Sequence, residues 1–401
     1  MESVEQTVFT LANNGAFGEG VCLKVKLKEE TKRGLQFASA IKFAEITLQQ
    51  NGKTMVIPIV IKQQLANINL NLIINDSKIF GIEVFMYKTV LPFLEVDRLK
   101  LFPKMFYGKV DKNSTEDIII LEDLSEQNFK ITKNKLFFDY EHLVLAIKNL
   151  AKFHAFSYIK KKQDLLKFYT IVGNLTESKF YTENERLKRF FSLSCIRSMN
   201  LLIAQENDNH VLNVIKQKFL NIKEFVRSLL KPEEPFAVIC HGDFCGFNML
   251  YKYNENGNPI DVKFFDLQNA IYTNPATELS FFLYLNTTSR MRCEYWYEFL
   301  EIYWSIISNI VPSLDFTYNQ FLAHFSKRAI YGLIPSSFFI PIIREKVTPF
   351  RESYYDTPDV RDEKILNMGN QETCTILLEI TRHMFENRYF HKFLEIGESS
   401  I

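Results

Sequence analysis

The stretch Val238-Ile239-Cys240-His241-Gly242-Asp243-Phe244-Cys245-Gly246-Phe247-Asn248, with Phe265-Asp266-Leu267-Gln268 further along, decides the fold class. An apolar strand runs into a glycine turn that presents the carboxylate of Asp243, and the carboxamide of Asn248 follows on the same loop. Residues 249–253 and 260–265 are alternating apolar segments separated by Asn254-Glu255-Asn256-Gly257-Asn258-Pro259, the composition of a β-hairpin connection. A hairpin folds the chain back, so Asp266 is expected beside Asn248.

Phosphoryl transfer from a nucleoside triphosphate uses such a set. Mg²⁺ prefers octahedral oxygen ligation, keeps several waters and takes one or two protein ligands beside the phosphates; Asn248 and Asp266 are the candidates. A second carboxylate must accept or orient the proton of the acceptor hydroxyl, and Asp243 has that place. The Asp-to-Asn spacing matches the protein-kinase catalytic loop. However, the Arg that precedes the Asp there is Gly242 here, and the Asp-Phe-Gly triplet is Asp266-Leu267-Gln268. The pattern is kinase-like without being that of a protein kinase.

On His241-Gly242-Asp243 with Asn248, then Asp266-x-Gln268, the chain resembles the ecdysteroid kinase-like (CHK kinase-like) family, relatives of choline kinases and aminoglycoside phosphotransferases. The resemblance runs from about Gly15 to the last long helix. It implies an α+β, protein kinase-like two-lobe fold, with a β-rich nucleotide-binding lobe over residues 1–124 and a mainly helical catalytic and acceptor-binding lobe over 125–401. It also implies ATP and Mg²⁺ as cofactors, Asp243 and His241 as catalytic-loop residues, and a small hydroxylated apolar acceptor such as an ecdysteroid, another steroid or a phenolic xenobiotic in detoxification. Relatives usually carry Trp at Cys245 and Asn at Phe247. A choline- or aminoglycoside-type phosphotransferase is the alternative within the enzyme class, and a catalytically silent nucleotide- or steroid-binding pseudokinase the alternative outside it.

Upstream, Gly15, Gly18 and Gly20 precede the alternating strand 21–27. They read as a glycine turn between two strands, where backbone N–H groups approach phosphates closely. Residues 55–62 form a β-branched run ending on Lys62, with Pro58 marking an edge or irregular strand. A lysine at the end of a buried strand needs a partner. The apolar residues Phe80, Val84, Tyr87, Leu91 and Leu94 recur at helical spacing, and Glu83 lies at the edge of that stripe. In kinase-like folds the strand lysine grips the α and β phosphates and the helix glutamate orients it. Residues 117–124 are an apolar strand ending in acids. By resemblance this segment joins the lobes, and backbone groups of Leu121, Glu122, Asp123 and Leu124 hold adenine; a central strand followed by a helix cap reads equally well.

The remainder is mostly helical. Helices are expected over residues 141–158, 184–204, 209–230, 274–285, 295–310, 318–333 and 370–393, with a charged loop over 344–363. His154 lies on an apolar face in an Ala-Lys-Phe-His-Ala setting that recurs in the family and reads as structural. Relatives place Asp where Glu278 stands, bracing the catalytic loop; Glu278 reads either as that brace or as a first-turn acid favoured by the helix dipole.

Composition excludes several classes. With 401 residues, 47% of them apolar and 37 of them Phe, the chain can bury a large core. A net charge of +1 and a longest basic run of Lys160-Lys161-Lys162 leave no electrostatic footprint for nucleic acid. No secretory leader and no membrane-length apolar run are evident, so a cytoplasmic protein without an obligate protein partner is expected. The six cysteines are scattered and read as free thiols. Cys240, His241 and Cys245 lack a second cluster that would complete a zinc site.

Overall fold

The computed structural model describes residues 3–28, 39–64, 76–110, 117–175, 184–206, 209–346 and 356–398. In chain order, helix α1 (Val4–Asn13) leads into strands β1 (Val21–Leu27), β2 (Ser39–Gln50) and β3 (Lys53–Gln64), then helix α2 (Asp76–Phe85). Strands β4 (Met105–Lys109) and β5 (Ile118–Glu122) follow, and then helices α3 (Tyr140–Gln163), α4 (Leu165–Val172), α5 (Glu185–Ile203), α6 (His210–Phe219) and α7 (Ile222–Leu230). The catalytic-loop region consists of β6 (Val238–Cys240), β7 (Met249–Tyr253), β8 (Pro259–Phe264) and β9 (Ile271–Thr273). Helices α8 (Pro275–Asn286), α9 (Ser289–Ile310), α10 (Tyr318–Arg328), α11 (Leu333–Glu345), α12 (Pro358–Leu366), α13 (Gln371–Glu386) and α14 (Tyr389–Glu398) complete the described chain. This is the α+β class expected from the sequence.

The chain divides into two compact units, one of Met1–Ile131 with Phe247–Asn269, the other of Thr132–Gly246 with Ala270–Ile401. The first contains an antiparallel sheet in the order β1-β2-β3-β5-β4. Asn51 and Gly52 both take positive φ, 49° and 75°, the conformation that joins β2 to β3 by a two-residue turn matching strand twist. Ala44, Ile46, Leu48, Ile59, Ile61, Ile118 and Ile120 bury one sheet face, and Val8 and Ala12 of α1 pack on it. The hairpin β7–β8 belongs to this unit and carries Asn248 and Asp266 at its open end, where the Phe265 N–H donates to the Asn248 carbonyl at 3.1 Å.

In the second unit β6 pairs with β9 as a short two-stranded sheet, and every other described element is helical or loop. The aromatic load fills its core: Trp296, Tyr303, Phe299 and Phe325 are all buried. Among the described residues no helix is long and apolar enough to cross a membrane.

Four expectations change. Pro58 does not mark an edge or irregular strand: β3 lies between β2 and β5, and Pro58 pairs with Glu45 without a break in register. The glycine turn joins a helix to a strand, not two strands. The Ser3 side chain accepts from the Gln6 N–H at 3.2 Å and caps α1, whose buried Val8 and Ala12 lie at helical spacing. Part of the segment 344–363 is helical: α11 runs to Glu345, and α12 begins with Thr357 as cap and Pro358 in the first turn, where proline's missing N–H costs nothing. Finally, the single helices expected over 209–230 and 370–393 are each broken, at Leu220-Asn221 and at Asn387-Arg388. Asn221 caps the second segment, and Arg388 takes a positive φ of 60°.

Candidate active site

In the sheet unit, β3 delivers Lys62, α2 delivers Glu83, and the chain just past β8 delivers Asp266. The Lys62 Nζ lies 2.6 Å from Glu83 Oε2, 2.5 Å from Asp266 Oδ1 and 3.4 Å from Gln268 Oε1. Lys62 is 6% exposed and Glu83 1%. Burial alone would depress the lysine, but the Asp266 and Glu83 carboxylates outweigh it and hold the ammonium well above its ordinary pKa. The Phe80 ring lies beneath, 5.5 Å from Nζ.

Asp266 takes a left-handed φ of 68°, a conformation that costs a non-glycine residue on the order of 1 kcal/mol and that Asp and Asn tolerate best. Its Oδ1 is on Lys62, and its Oδ2 makes no hydrogen bond to any described residue. The side chain keeps 23% exposure. With the Asn248 carboxamide at the same end of the hairpin, the set offers hard oxygen donors, the chemistry Mg²⁺ selects.

The glycine turn does not join this group. Gly20 abuts the Gln49 carbonyl, 2.9 Å from where a Cβ would stand. Gln49 pairs with Thr54 of β3, whereas Lys62 pairs with Ile41. Thr54 and Lys62 are eight residues apart on one strand, roughly 26 Å at the rise of an extended chain. Gly15, Gly18 and Gly20 thus sit at the end of the sheet away from Lys62. Of the described residues of β1 and β2, Leu27, which pairs with Ala44, and Ser39, which pairs with Gln64, lie toward the Lys62 end.

The predicted adenine segment is partly committed to the protein. The Glu122 N–H donates to the Lys104 carbonyl at 2.9 Å and the Asp123 N–H to the Pro58 carbonyl at 3.1 Å. Asp123 Oδ1 caps the short helix that follows by accepting from Ser125 N at 3.0 Å. Leu121 and Leu124 present buried aliphatic side chains.

In the helical unit, β6 ends at Cys240 and the chain turns at Gly242, φ 82°. Glu278, in the first turn of α8, grips this turn. Its Oε2 accepts from the His241 N–H at 3.1 Å and its Oε1 from the Gly242 N–H at 2.6 Å. Behind it, His154 Nε2 lies 2.9 Å from Oε2, and His154 Nδ1 lies 2.7 Å from the Tyr303 hydroxyl. Burial would raise the Glu278 carboxyl, but hydrogen bonding and charge from His154 and the loop hold it below the ordinary carboxylate value. Glu278 is therefore a first-turn acid and a brace at once. The His241 ring turns back on its own loop, with Nδ1 3.4 Å from the Asp243 N–H.

Beyond Asp243 the loop is clamped. Phe244 is buried against Phe282, ring centroids 5.0 Å apart, and a Cβ on Gly246 would stand 2.4 Å from Cζ of Phe138. His154, Cys240 and Glu278 place potential ligand atoms within 4.8 Å of one another. Both Glu278 oxygens are already engaged by N–H groups, and burial pushes the Cys240 thiol well up, so this cluster reads as a brace and not a metal centre.

Residues 33–316 match the Ecdysteroid kinase-like family. The chain belongs to that family. Membership makes it a small-molecule kinase-like phosphotransferase, and the match begins at Arg33, beyond the glycine turn. Among solved structures, this ecdysteroid kinase-like chain is similar to a Plasmodium vivax ethanolamine kinase at 9% identity and a TM-score of 0.38, over 92% of this chain and 84% of that one. It is also similar to a choline/ethanolamine kinase family protein from Mesorhizobium loti at 12% identity and a TM-score of 0.37, over 94% and 98% respectively. No curated protein matches it.

Sequence reasoning missed Tyr303 and Phe138, and read Tyr87 only as one residue of an apolar stripe. Tyr303 and Phe138 act on residues more than a hundred positions away and carry no local signal. Tyr87 is different: it lies one turn beyond Glu83 on the same face, and its buried hydroxyl feels both Glu83 and Asp266.

Proposed function

We propose that the chain is an ATP-dependent kinase that transfers the γ-phosphate to a hydroxyl of an apolar acceptor, an ecdysteroid, another steroid or a phenol. The observation that carries this reading is the pair of short contacts from Lys62 to Glu83 and Asp266, 2.6 and 2.5 Å, which brings a phosphate-gripping cation against a candidate metal ligand. Lys62 holds the α and β phosphates, and Glu83 keeps its ammonium aimed. Asn248 and Asp266 hold Mg²⁺, which when bound neutralises charge on the β and γ phosphates. Asp243 accepts the acceptor's hydroxyl proton as the oxygen bonds to the γ-phosphorus and the bond to the β–γ bridging oxygen breaks. ADP leaves with that bridging oxygen. Glu278 and His154 keep the turn that presents Asp243 fixed. The aliphatic side chains of Leu121 and Leu124 flank adenine.

The test is transfer of labelled γ-phosphate from Mg·ATP to a panel of hydroxylated steroids, phenols, choline and aminoglycosides, with Asp243→Asn as control. Transfer to a steroid or phenol that the variant loses supports the reading. Transfer only to a cationic acceptor would replace the acceptor class, and ATP binding without transfer to any acceptor would refute the kinase reading.

A further inference from the structure

The grips on the catalytic loop act on its backbone. Glu278 takes the N–H groups of residues 241 and 242, and Phe138 leaves no room for a side chain at 246. Backbone restraint aims the Cα–Cβ bond of Asp243, and the torsions of its carboxylate are set by what its oxygens meet. Cys245 reaches that carboxylate: its Sγ lies 3.8 Å from Asp243 Oδ1, within the longer reach of a sulfur donor. The thiol is 3% exposed, in the turn between Phe244 and Gly246. We propose that Cys245 is a positioning residue whose S–H donates to Oδ1 of Asp243 and fixes the rotamer in which the carboxylate meets the acceptor hydroxyl. This rests on the role given above to Asp243.

A buried cysteine is often only a small apolar filler, and the two roles rank substitutions in opposite order. A filler is replaced better by Ala than by Ser, because a buried hydroxyl must find a partner. A donor is replaced better by Ser than by Ala. The experiment measures kcat, the KM for Mg·ATP and the thermal midpoint of the wild type, Cys245→Ala and Cys245→Ser, with Asp243→Asn alongside. Cys245→Ala is expected to lower kcat about three- to tenfold, the loss of one hydrogen bond of ordinary strength from a weak S–H donor, with the KM for Mg·ATP unchanged. Cys245→Ser is expected to keep kcat within about twofold of wild type, although its thermal midpoint is no higher than that of the Ala variant. Wild-type kcat in Cys245→Ala overturns the proposal. So does a kcat that follows the thermal midpoint in both variants. If Asp243→Asn itself keeps full turnover, the catalytic reading fails first and the role of Cys245 falls with it.

Discussion

Lys62 and Asp243 are held in opposite ways. Lys62 is gripped by side chains, the carboxylates of Glu83 and Asp266. The loop carrying Asp243 is gripped through its backbone, by Glu278 on two N–H groups and by the Phe138 ring on Gly246. A cation that must exchange carboxylate for phosphate oxygens is suited by partners of like chemistry on movable side chains. A base that must be aimed is suited by a loop whose backbone cannot turn.

The comparison breaks most sharply at Asp266. Asp266→Ala removes one partner of Lys62 and a metal ligand together, so Mg²⁺-dependent nucleotide binding, measured by titration calorimetry, is expected to vanish. Asp243→Asn leaves both grips in place. It should bind Mg·ATP like the wild type while kcat falls by roughly 10² to 10⁴, the range for a positioned base; full turnover would sink the role given to Asp243.

Glu278→Ala leaves His154 and two backbone N–H groups without their acceptor. It is expected to cost about 3–5 kcal/mol in chemical denaturation, the cost of leaving several buried donors without their acceptor. The milder Glu278→Gln tests the sign of its pKa shift. A carboxyl whose folded-state pKa is depressed stabilises the fold above its unfolded value, near 4.5, and loses that contribution as pH falls through the lower folded value. The stability gap between wild type and Glu278→Gln should therefore narrow on acidification below about 4.5. A gap that widens there would mean that Glu278 is not the charged partner.

The smallest effect is at the clamp. Gly246→Ala drives a methyl into Phe138 and should cost about 1–3 kcal/mol by overpacking. Adding Phe138→Leu should recover part of that loss; no recovery would place the strain elsewhere.

The α+β class was legible because its signals are local. A β-branched run, a helical stripe and the turn composition at 254–259 each lie within a window of about a dozen residues. Lys62 and Glu83 could be matched because a buried ammonium demands a carboxylate and the next helix offers one at its edge. The contact of Asp266 with Lys62 spans 204 residues, and only the kinase-like pattern linked them. The glycine turn misled because three glycines fix a backbone conformation without fixing which end of a sheet it occupies. That end is set by strand register, a pairing of β1 and β2 that no single strand encodes. Helix α1 hid for a related reason: its cap at Ser3 is unambiguous only once Val8 and Ala12 have a sheet to cover.

The hairpin at 249–264 has a consequence for synthesis. The sheet unit is interrupted in the chain by Thr132–Gly246 and resumes only at Phe247. Lys62 and Glu83 emerge from the ribosome long before Asp266, which follows Lys62 by 204 positions. At typical elongation rates that is an interval of roughly 10 to 40 s. Through that interval the nascent sheet carries its buried lysine with Glu83 as partner and without the strand pair that completes its unit. The first unit to begin thus finishes only after the first part of the other has been made, and a ribosome paused between residues 131 and 247 would display a sheet awaiting its last hairpin.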